Sequence, residues 1–246
     1  MNATVRAIDD DPVLGRYLVH YNTNRMRLLV QVGVIYAICT LVITLATAGL
    51  EGTWVNIVVP LLYALVAMPL IWYVAHLWNR EVILFEKGFT FRQGSVVAAF
   101  PYENIVSTRT TLERIRYFGL VPRQRTVYDM TSDQGDQMRI NDVYIRPLEL
   151  VDTLERAILK ARKPLLARQL ARGEQVAFGS VALNAQGVVD VRDGRALSWG
   201  ALRSVQVAAG ALRIADEAGE WAAFPLEGIE SVVILLALLK ERETAP

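Results

Sequence analysis

Two long apolar runs dominate the hydrophobic pattern of the chain. Residues 28–50 and residues 54–78 contain no Asp, Glu, Lys or Arg. Because about 20 apolar helical residues cross a hydrocarbon core of about 30 Å, each run is long enough to span a bilayer. Only Glu51, Gly52 and Thr53 separate the two runs. The pattern therefore predicts an antiparallel transmembrane hairpin over residues 28–78, since lone chain segments in lipid must be helical.

Two other interpretations of the apolar runs are open. A cleaved signal peptide has an apolar region of about 7–15 residues, which is shorter than the first run, and no second run would follow it at once. A helical hairpin buried inside a soluble domain is the other alternative.

Basic residues flank both ends of the predicted hairpin. They are Arg16, Arg25 and Arg27 before it and Arg80, Lys87 and Arg92 after it. The turn between the runs carries Glu51 and no basic residue. Because positively charged flanks stay inside, both termini are predicted to be cytoplasmic. His76 is the one ionisable side chain near membrane depth besides Cys39 and tyrosines, so the hairpin is predicted to be an anchor and not a transport pathway.

Residues 1–27 are predicted to form a cytoplasmic segment with a short amphipathic helix. Asp11-Pro12 has the features of a helix start, with Asp as the N-cap. The apolar residues that follow at helical spacing are Val13, Leu14, Tyr17, Leu18 and Tyr21. Such a helix either lies on the membrane surface or packs on the soluble part, and both alternatives are open.

The rest of the chain changes to short alternating segments separated by turn residues. The predicted strands of the first half cover residues 81–85, 89–92, 96–100, 104–108, 126–131 and 137–140, and a helix follows over 147–162. The predicted strands of the second half cover 175–183, 188–191, 196–199, 202–207, 211–215 and 221–224, and a helix follows over 226–241. Both halves are therefore predicted as a set of strands followed by one helix, in domains over 79–165 and 172–246.

Residue matches between the halves predict a duplication. Residues 100–105 resemble 197–202 and place Tyr102 opposite Trp199 as corresponding core anchors, and residues 147–151 resemble 225–229. Chance similarity between two β-rich domains is the alternative.

The first half carries additional residues that the second half lacks. Ile105 lies 42 positions before Pro147, whereas Leu202 lies 23 positions before Pro225. The excess is predicted to be an inserted basic loop over 109–125, with five arginines against Glu113. Its candidate contact residues are Arg109, Arg114, Arg116, Tyr117, Phe118, Arg123 and Arg125. A basic, aromatic loop close to a membrane span is expected to contact anionic headgroups or a partner. A long hairpin with solvated arginines is the alternative.

The order of antiparallel strands and a closing helix resembles the pleckstrin-homology (PH)-like fold. Gly88-Phe89 with residues 100–105, and Gly187 with Trp199-Gly200-Ala201-Leu202, resemble the sequence texture of bacterial membrane-anchored PH-like proteins. The resemblance implies an α+β protein in which a transmembrane hairpin precedes two PH-like antiparallel β-sandwich or barrel domains, each closed by a C-terminal helix. It also implies a multi-pass protein of the bacterial cytoplasmic (inner) membrane, and it transfers no functional site.

No catalytic motif points to an enzyme. His20 and His76 flank the hairpin, and Cys39 is the single cysteine, so no nucleophile has an evident histidine base and no cofactor or metal site is predicted. The net charge of +1 gives no indication of nucleic-acid binding. The predicted function is a membrane-anchored, non-catalytic binding or scaffold module whose partners are membrane lipids and a protein partner or a second copy. The alternatives are anionic-lipid sensing through the basic loop, and an accessory subunit of a larger membrane complex.

Overall fold

The computed structural model describes residues 10–117 and 121–243, and side chains are described outside 112–126. The protein is α+β, with two apolar helices near the N-terminus and four antiparallel sheets. No sheet closes into a barrel within these described ranges.

The predicted helical hairpin is present. Helix α1 covers Arg25–Thr47 and helix α2 covers Val55–Trp78, and both are long and apolar enough to cross a membrane. They pack side by side, and the hydroxyl groups of Thr44 and Tyr63 lie 2.8 Å apart across the contact. Hardly any side chain of either helix is buried within the protein. Exposed apolar surface of this extent favours an apolar environment over water.

The first half forms two antiparallel sheets followed by a helix. Strands β1 (Tyr17–Asn22), β2 (Glu81–Phe85), β3 (Gly88–Gln93) and β4 (Val96–Pro101) form a sheet in that order. Strands β5 (Ile105–Tyr117), β6 (Val121–Ser132) and β7 (Gln137–Ile140) form the second sheet, and helix α3 covers Pro147–Ala171.

The second half has the same order of elements. Strands β8 (Val176–Phe178), β9 (Val181–Leu183), β10 (Gly187–Asp190) and β11 (Ala196–Ser198) form one sheet. Strands β12 (Ser204–Ala208), β13 (Ala211–Asp216) and β14 (Gly219–Pro225) form another, and helix α4 covers Val232–Glu243. Strand β8 and strand β9 replace the single strand predicted over 175–183.

The predicted amphipathic helix before the hairpin is wrong. The Asp11 side chain caps a turn by accepting the N–H groups of Val13 and Leu14, at 2.8 Å each. The chain then continues as β1, in which Tyr21 is buried and its neighbour Asn22 is exposed. Over so short a segment, the same apolar positions fit both the 3.6-residue period of a helix and the two-residue period of a strand. Pairing with β2 favours the strand, because it satisfies backbone groups that β2 would otherwise leave unpaired.

Helix α3 is longer than predicted and joins the two halves. It continues past 162 and through Pro164 to Ala171. Leu150 and Leu154 are buried near its start, and Leu166 and Leu170 are buried near its end. All four belong to one hydrophobic core that includes residues of both halves. Lys163 also forms an ion pair with Glu241 of α4. The two halves therefore share a core.

Tyr102 and Trp199 occupy corresponding places, as predicted: each begins the 3-10 turn that follows the fourth strand of its half, which we call the corner. The Tyr102 N–H donates to the Lys87 carbonyl at 3.0 Å, and its hydroxyl donates to the Phe85 carbonyl at 3.0 Å. The Trp199 N–H donates to the Gln186 carbonyl at 3.0 Å, and its indole Nε1–H donates to the Asn184 carbonyl at 3.1 Å. Each anchor thus ties the end of the fourth strand to the turn between the second and third.

The predicted match between residues 147–151 and 225–229 is wrong. Pro147 is the first residue of α3, whereas Pro225 ends β14 and precedes a 3-10 turn. The corresponding helix starts are marked instead by Arg146 (φ 52°) and Ser231 (φ 49°), which are both left-handed. A shared Pro-Leu-Glu sequence was a misleading signal, because proline is favoured both at a helix start and next to a turn.

The helical hairpin is an insertion within the first sheet. Asn22 pairs with Glu81 at the end of β1 and β2, and Phe178 pairs with Val181 at the end of β8 and β9. In the second half only Gly179 and Ser180 connect the paired residues. The expected order, with the hairpin in front of the sheets, is therefore wrong, since β1 precedes the hairpin and belongs to the first sheet.

Hydrogen bonds around the two connections support this correspondence. The Ile145 N–H donates to the Asn22 carbonyl at 2.8 Å, and the Glu230 N–H donates to the Phe178 carbonyl at 3.2 Å. Isolated bridges join Thr23 to Tyr144 and Gly179 to Ile229. A two-residue turn and a membrane-length hairpin thus occupy the same place.

We expect that replacing residues 23–80 with the dipeptide Gly-Ser gives a folded protein that needs no detergent. Gly179 has φ +74°, so glycine at the first turn position supplies the conformation that a short β-hairpin needs. Size-exclusion chromatography and circular dichroism without detergent measure this. A shorter chain that removes residues 10–80, and with them β1, is the control and should aggregate. Equal behaviour of the two chains would contradict the insertion.

Candidate functional site

The predicted basic loop is a two-stranded ribbon. Cα partners run in register from Thr111 opposite Val127 to Tyr117 opposite Val121. We call residues 111–117 and 121–127 the ribbon. Arg114, Arg116 and Tyr117 lie in β5, and Arg123 and Arg125 lie in β6. Phe118 lies outside the described residues.

Arg109 lies apart from the ribbon. Its guanidinium is 3.5 Å from a Glu230 carboxylate oxygen. Next to it, the Ser231 N–H donates to the Thr108 carbonyl at 2.7 Å, and the Thr108 N–H donates to the Ser231 Oγ at 3.2 Å. These contacts join β5 to the start of α4. Arg109 therefore lies at the contact between the halves and not in the ribbon, with 46% of its side chain exposed.

The ribbon is the part of β5 and β6 that extends beyond the end of β7, on the side of the helical hairpin. Tyr128 pairs with Ile140, the last residue of β7, and with Thr110 of β5. Two residues after Ile140, the Asp142 carboxylate accepts a hydrogen bond from Arg27 at the start of α1. Strand β7 therefore runs towards the helices. The seven further residues from Thr110 to Tyr117 would extend about 23 Å at the usual strand rise.

Thr23 joins the two ends of the hairpin. Its side chain is 2% exposed, and its Oγ1 lies 2.8 Å from the Leu77 carbonyl oxygen and 3.0 Å from that of Arg80. The Thr23 N–H also donates to the Arg80 carbonyl at 3.1 Å. The carbonyls at a helix C-terminus lack intrahelical partners. Thr23, just before α1, therefore caps the end of α2.

We call the place where α1 begins and α2 ends next to the sheets the junction. Charged pairs hold the junction from both sides. The Arg27 guanidinium donates to the Asp142 carboxylate at 2.8 Å and to the Asp142 carbonyl at 3.0 Å. The Glu81 carboxylate accepts a hydrogen bond from Arg92 at 3.0 Å and lies 3.2 Å from His20 Nε2. The base of the hairpin is thus held by β1, β2, β3 and the turn after β7.

The junction also contains a buried phenol. Tyr144 is 1% exposed, and burial raises its pKa to about 12, although the nearby Arg80 charge acts in the opposite direction. The Tyr144 phenol therefore stays neutral at physiological pH. Among residues 10–117 and 121–243, no group of three His, Cys, Asp or Glu side chains is placed to hold a metal ion.

The sequence interpretation missed Thr23 and Asp142 as junction residues. The available signal was the polar triplet Asn22-Thr23-Asn24 directly before an apolar run. Asn24 is the N-cap of α1, and its side chain accepts the Arg27 N–H at 3.0 Å. Nothing local connects Asp142 to Arg27, because the contact spans more than a hundred residues of chain.

Comparison with family models gives a match over residues 2–245 to a family of unknown function, DUF6585. Neither the search of curated proteins nor that of solved structures found a match to the chain. The match thus covers the helical hairpin and both halves but carries no activity.

We expect Thr23→Val to lower the free energy of unfolding by about 0.5–1.5 kcal/mol, because it removes a buried side-chain hydrogen bond while the Leu77 and Arg80 carbonyls keep backbone donors. Thermal unfolding of the full chain in detergent micelles measures this. Thr40→Val is the matched control, since the Thr40 hydroxyl bonds only the Ala37 carbonyl of its own helix, at 3.0 Å. Equal stability of the two variants would show that Thr23 does not hold the junction.

Proposed function

The chain belongs to DUF6585, a family of unknown function, and we propose that it is a membrane-anchored, non-catalytic binding module built from two PH-like domains. The observation that carries this proposal is the insertion of an apolar helical hairpin between two paired strands of the first sheet. An inserted hairpin holds a domain at a bilayer without any linker.

The repeated order of elements supports the PH-like assignment. Each half has a four-stranded sheet, a three-stranded sheet and a following helix, all in the same sequence order. The corners at Tyr102 and Trp199 are formed by the same pair of hydrogen bonds. A duplicated seven-stranded domain, with the hairpin added to the first copy, accounts for these shared features.

The charge distribution supports a location at the cytoplasmic face of a bacterial inner membrane. Arg25 and Arg27 begin α1, and Arg80 follows α2, so the end of the hairpin next to the sheets is basic. The opposite end carries Glu51. Under the positive-inside rule, a multi-pass protein with this charge bias has both termini and both domains in the cytoplasm.

An open sheet edge supports a protein partner or a second copy. Strand β4 pairs only with β3 among the described strands. Val96 and Val97 begin β4 and are 66% and 57% exposed. Exposed edge strands offer backbone hydrogen bonds to an added strand. The proposed scaffold function would use such an edge to bind a partner, and the hairpin would fix the distance of this edge from the membrane.

The topology can be measured by cysteine labelling in a Cys39→Ala background. We expect Ala218→Cys to react with a membrane-impermeant maleimide in inside-out vesicles, because the second half would face the cytoplasm. Glu51→Cys should react there only after detergent is added. Both positions are exposed. Labelling of both cysteines from the same side would exclude a membrane-spanning hairpin.

A second candidate function is contact with anionic lipid through the ribbon. The register of β5, β6 and β7 favours it, because the ribbon continues past Ile140 towards the helix ends. Arg114, Arg116, Arg123 and Arg125 all lie in this extension. Each basic residue near an anionic surface contributes on the order of 1 kcal/mol. Four such residues would hold the first domain against the leaflet.

Hydrogen exchange in lipid nanodiscs tests this contact. We expect the ribbon amides to exchange more slowly in discs that contain phosphatidylglycerol than in discs of phosphatidylcholine alone. Replacing Arg114, Arg116, Arg123 and Arg125 with Ala should remove the difference, and high salt should reduce it.

A matched variant controls for the loss of positive charge. It replaces four exposed arginines of the second half, Arg172, Arg203, Arg213 and Arg242, with Ala. This control should retain the slower exchange of the ribbon in anionic discs. Identical exchange of the unmodified chain in both lipids would rule out lipid contact by the ribbon.

A further inference from the structure

An apolar groove runs along one side of the helical hairpin, at the end next to the sheets. Its volume is about 710 Å³, within the range of small-molecule sites. The residues that line it are Leu29, Val32, Gly33 and Tyr36 of α1, and Ala67, Leu70, Ile71, Val74, Ala75, Trp78 and Asn79 in and after α2. Apart from Asn79, the Tyr36 hydroxyl and the Trp78 indole N–H, these side chains offer little to a polar ligand. The groove therefore fits an aliphatic chain.

The length of the groove corresponds to half of a bilayer. From Ala67 to Trp78, the groove residues of α2, the helix rises about 16 Å, whereas the hydrocarbon core is about 30 Å thick. A second helix that crosses the membrane would need a groove along the whole hairpin. An acyl chain of the adjacent leaflet needs only this depth.

Gly33 leaves the groove open in its middle. A Cβ atom added at Gly33 would meet no atom within 4 Å. Glycine within a helix is destabilising by roughly 0.5–1 kcal/mol relative to alanine. The small side chains of Ala67 and Ala75 keep the facing side of the groove shallow. No side chain that the structure describes fills the resulting space.

The guanidinium of Arg25 lies at the mouth of the groove. Helical spacing places Arg25 one turn before Leu29, on the same face of α1. Its guanidinium lies over the Trp78 ring, 5.1 Å from the centroid, and it is exposed. Among the described residues no carboxylate is within ion-pair distance of Arg25, whereas Arg27 on the other face is paired with Asp142. Arg25 is thus held in place with its charge available.

We infer that this groove binds one anionic phospholipid, with an acyl chain along Gly33 and the phosphate at Arg25 and Asn79. The apolar wall matches the chain, and the Arg25 guanidinium, which has no carboxylate partner among the described residues, matches the negative headgroup. The inference rests on the proposed membrane anchor, but it uses none of the ribbon residues. The groove would thus be a lipid site distinct from the ribbon contact.

Native mass spectrometry of the full chain in mild detergent tests the headgroup contact. The probes are phosphatidylglycerol and phosphatidylcholine with identical acyl chains. We expect tighter binding of phosphatidylglycerol, and Arg25→Gln should weaken it about fivefold, as expected for one basic residue near an anionic group. Binding of phosphatidylcholine should change little. Arg16→Gln removes the same charge far from the groove and should leave both affinities unchanged.

A second variant tests the acyl-chain contact. Gly33→Leu places a side chain into the groove and should weaken both lipids by about tenfold. Ala46→Leu adds bulk to α1 outside the groove and is the matched control, since Ala46 is exposed and does not line it. Replacing Arg114, Arg116, Arg123 and Arg125 with Ala should leave lipid retention in detergent unchanged.

Two results would overturn the groove assignment. One is equal affinity of the unmodified chain and Arg25→Gln for phosphatidylglycerol. The other is loss of a dimer, and not of lipid, in Gly33→Leu, which would assign the groove to a second copy of the chain. Neither result bears on the anchor itself, because cysteine labelling at positions 51 and 218 reports membrane insertion separately. If the labelling pattern fails, the hairpin does not span a membrane, and both the proposed anchor function and the lipid site in the groove are excluded.

Discussion

The pairing of β1 with β2 is the constraint on which the rest of the structure depends. These strands lie on opposite sides of the hairpin in the sequence, yet Asn22 and Glu81 pair directly at its base. Thr23 then bonds the carbonyls of Leu77 and Arg80, so the chain enters α1 and leaves α2 at one closed point. Rotation of either helix about its own axis there would break these buried hydrogen bonds, which costs free energy. The hairpin is therefore a rigid extension of the first sheet, connected directly to β1 and β2.

The two halves differ where the first half meets the hairpin. The second half connects its first two strands with Gly179 and Ser180, and connects β12 to β13 with Ala209 and Gly210, where Ala208 pairs with Ala211. The first half has the helical hairpin in one of these connections and the ribbon in the other. Both additions lie on the side of the helices, while the corners at Tyr102 and Trp199 keep the same hydrogen bonds. The first half is elaborated at one end only, and the second half keeps short turns.

Local patterns were sufficient for α1, α2 and most strands, and they failed where pairing is distant. The apolar runs of α1 and α2 contain their own signal, since length and composition decide whether a helix can cross lipid. For β1, the partner β2 lies beyond the whole hairpin, so a short segment compatible with two periods was assigned to a helix. The basic residues of the ribbon were evident from composition, but the partner of Arg109 is Glu230 of the other half. Ion pairs between residues far apart in the sequence cannot be predicted from the spacing of neighbouring residues.

The absence of a linker between sheet and hairpin has a mechanical consequence for any binding function. A domain on a flexible linker samples many heights and tilts above a bilayer, and a partner must restrict them at an entropic cost. If α1 and α2 cross a bilayer as proposed, their tilt would be transmitted to β1 and β2 through Thr23, and the Arg27 pair with Asp142 would be a second fixed point on the other sheet. Pro60 and Pro69 give α2 two places where its axis can bend. Lipids that contact one face of this hairpin would therefore bias the orientation of both domains, because the shared core along α3 joins the second half to the first.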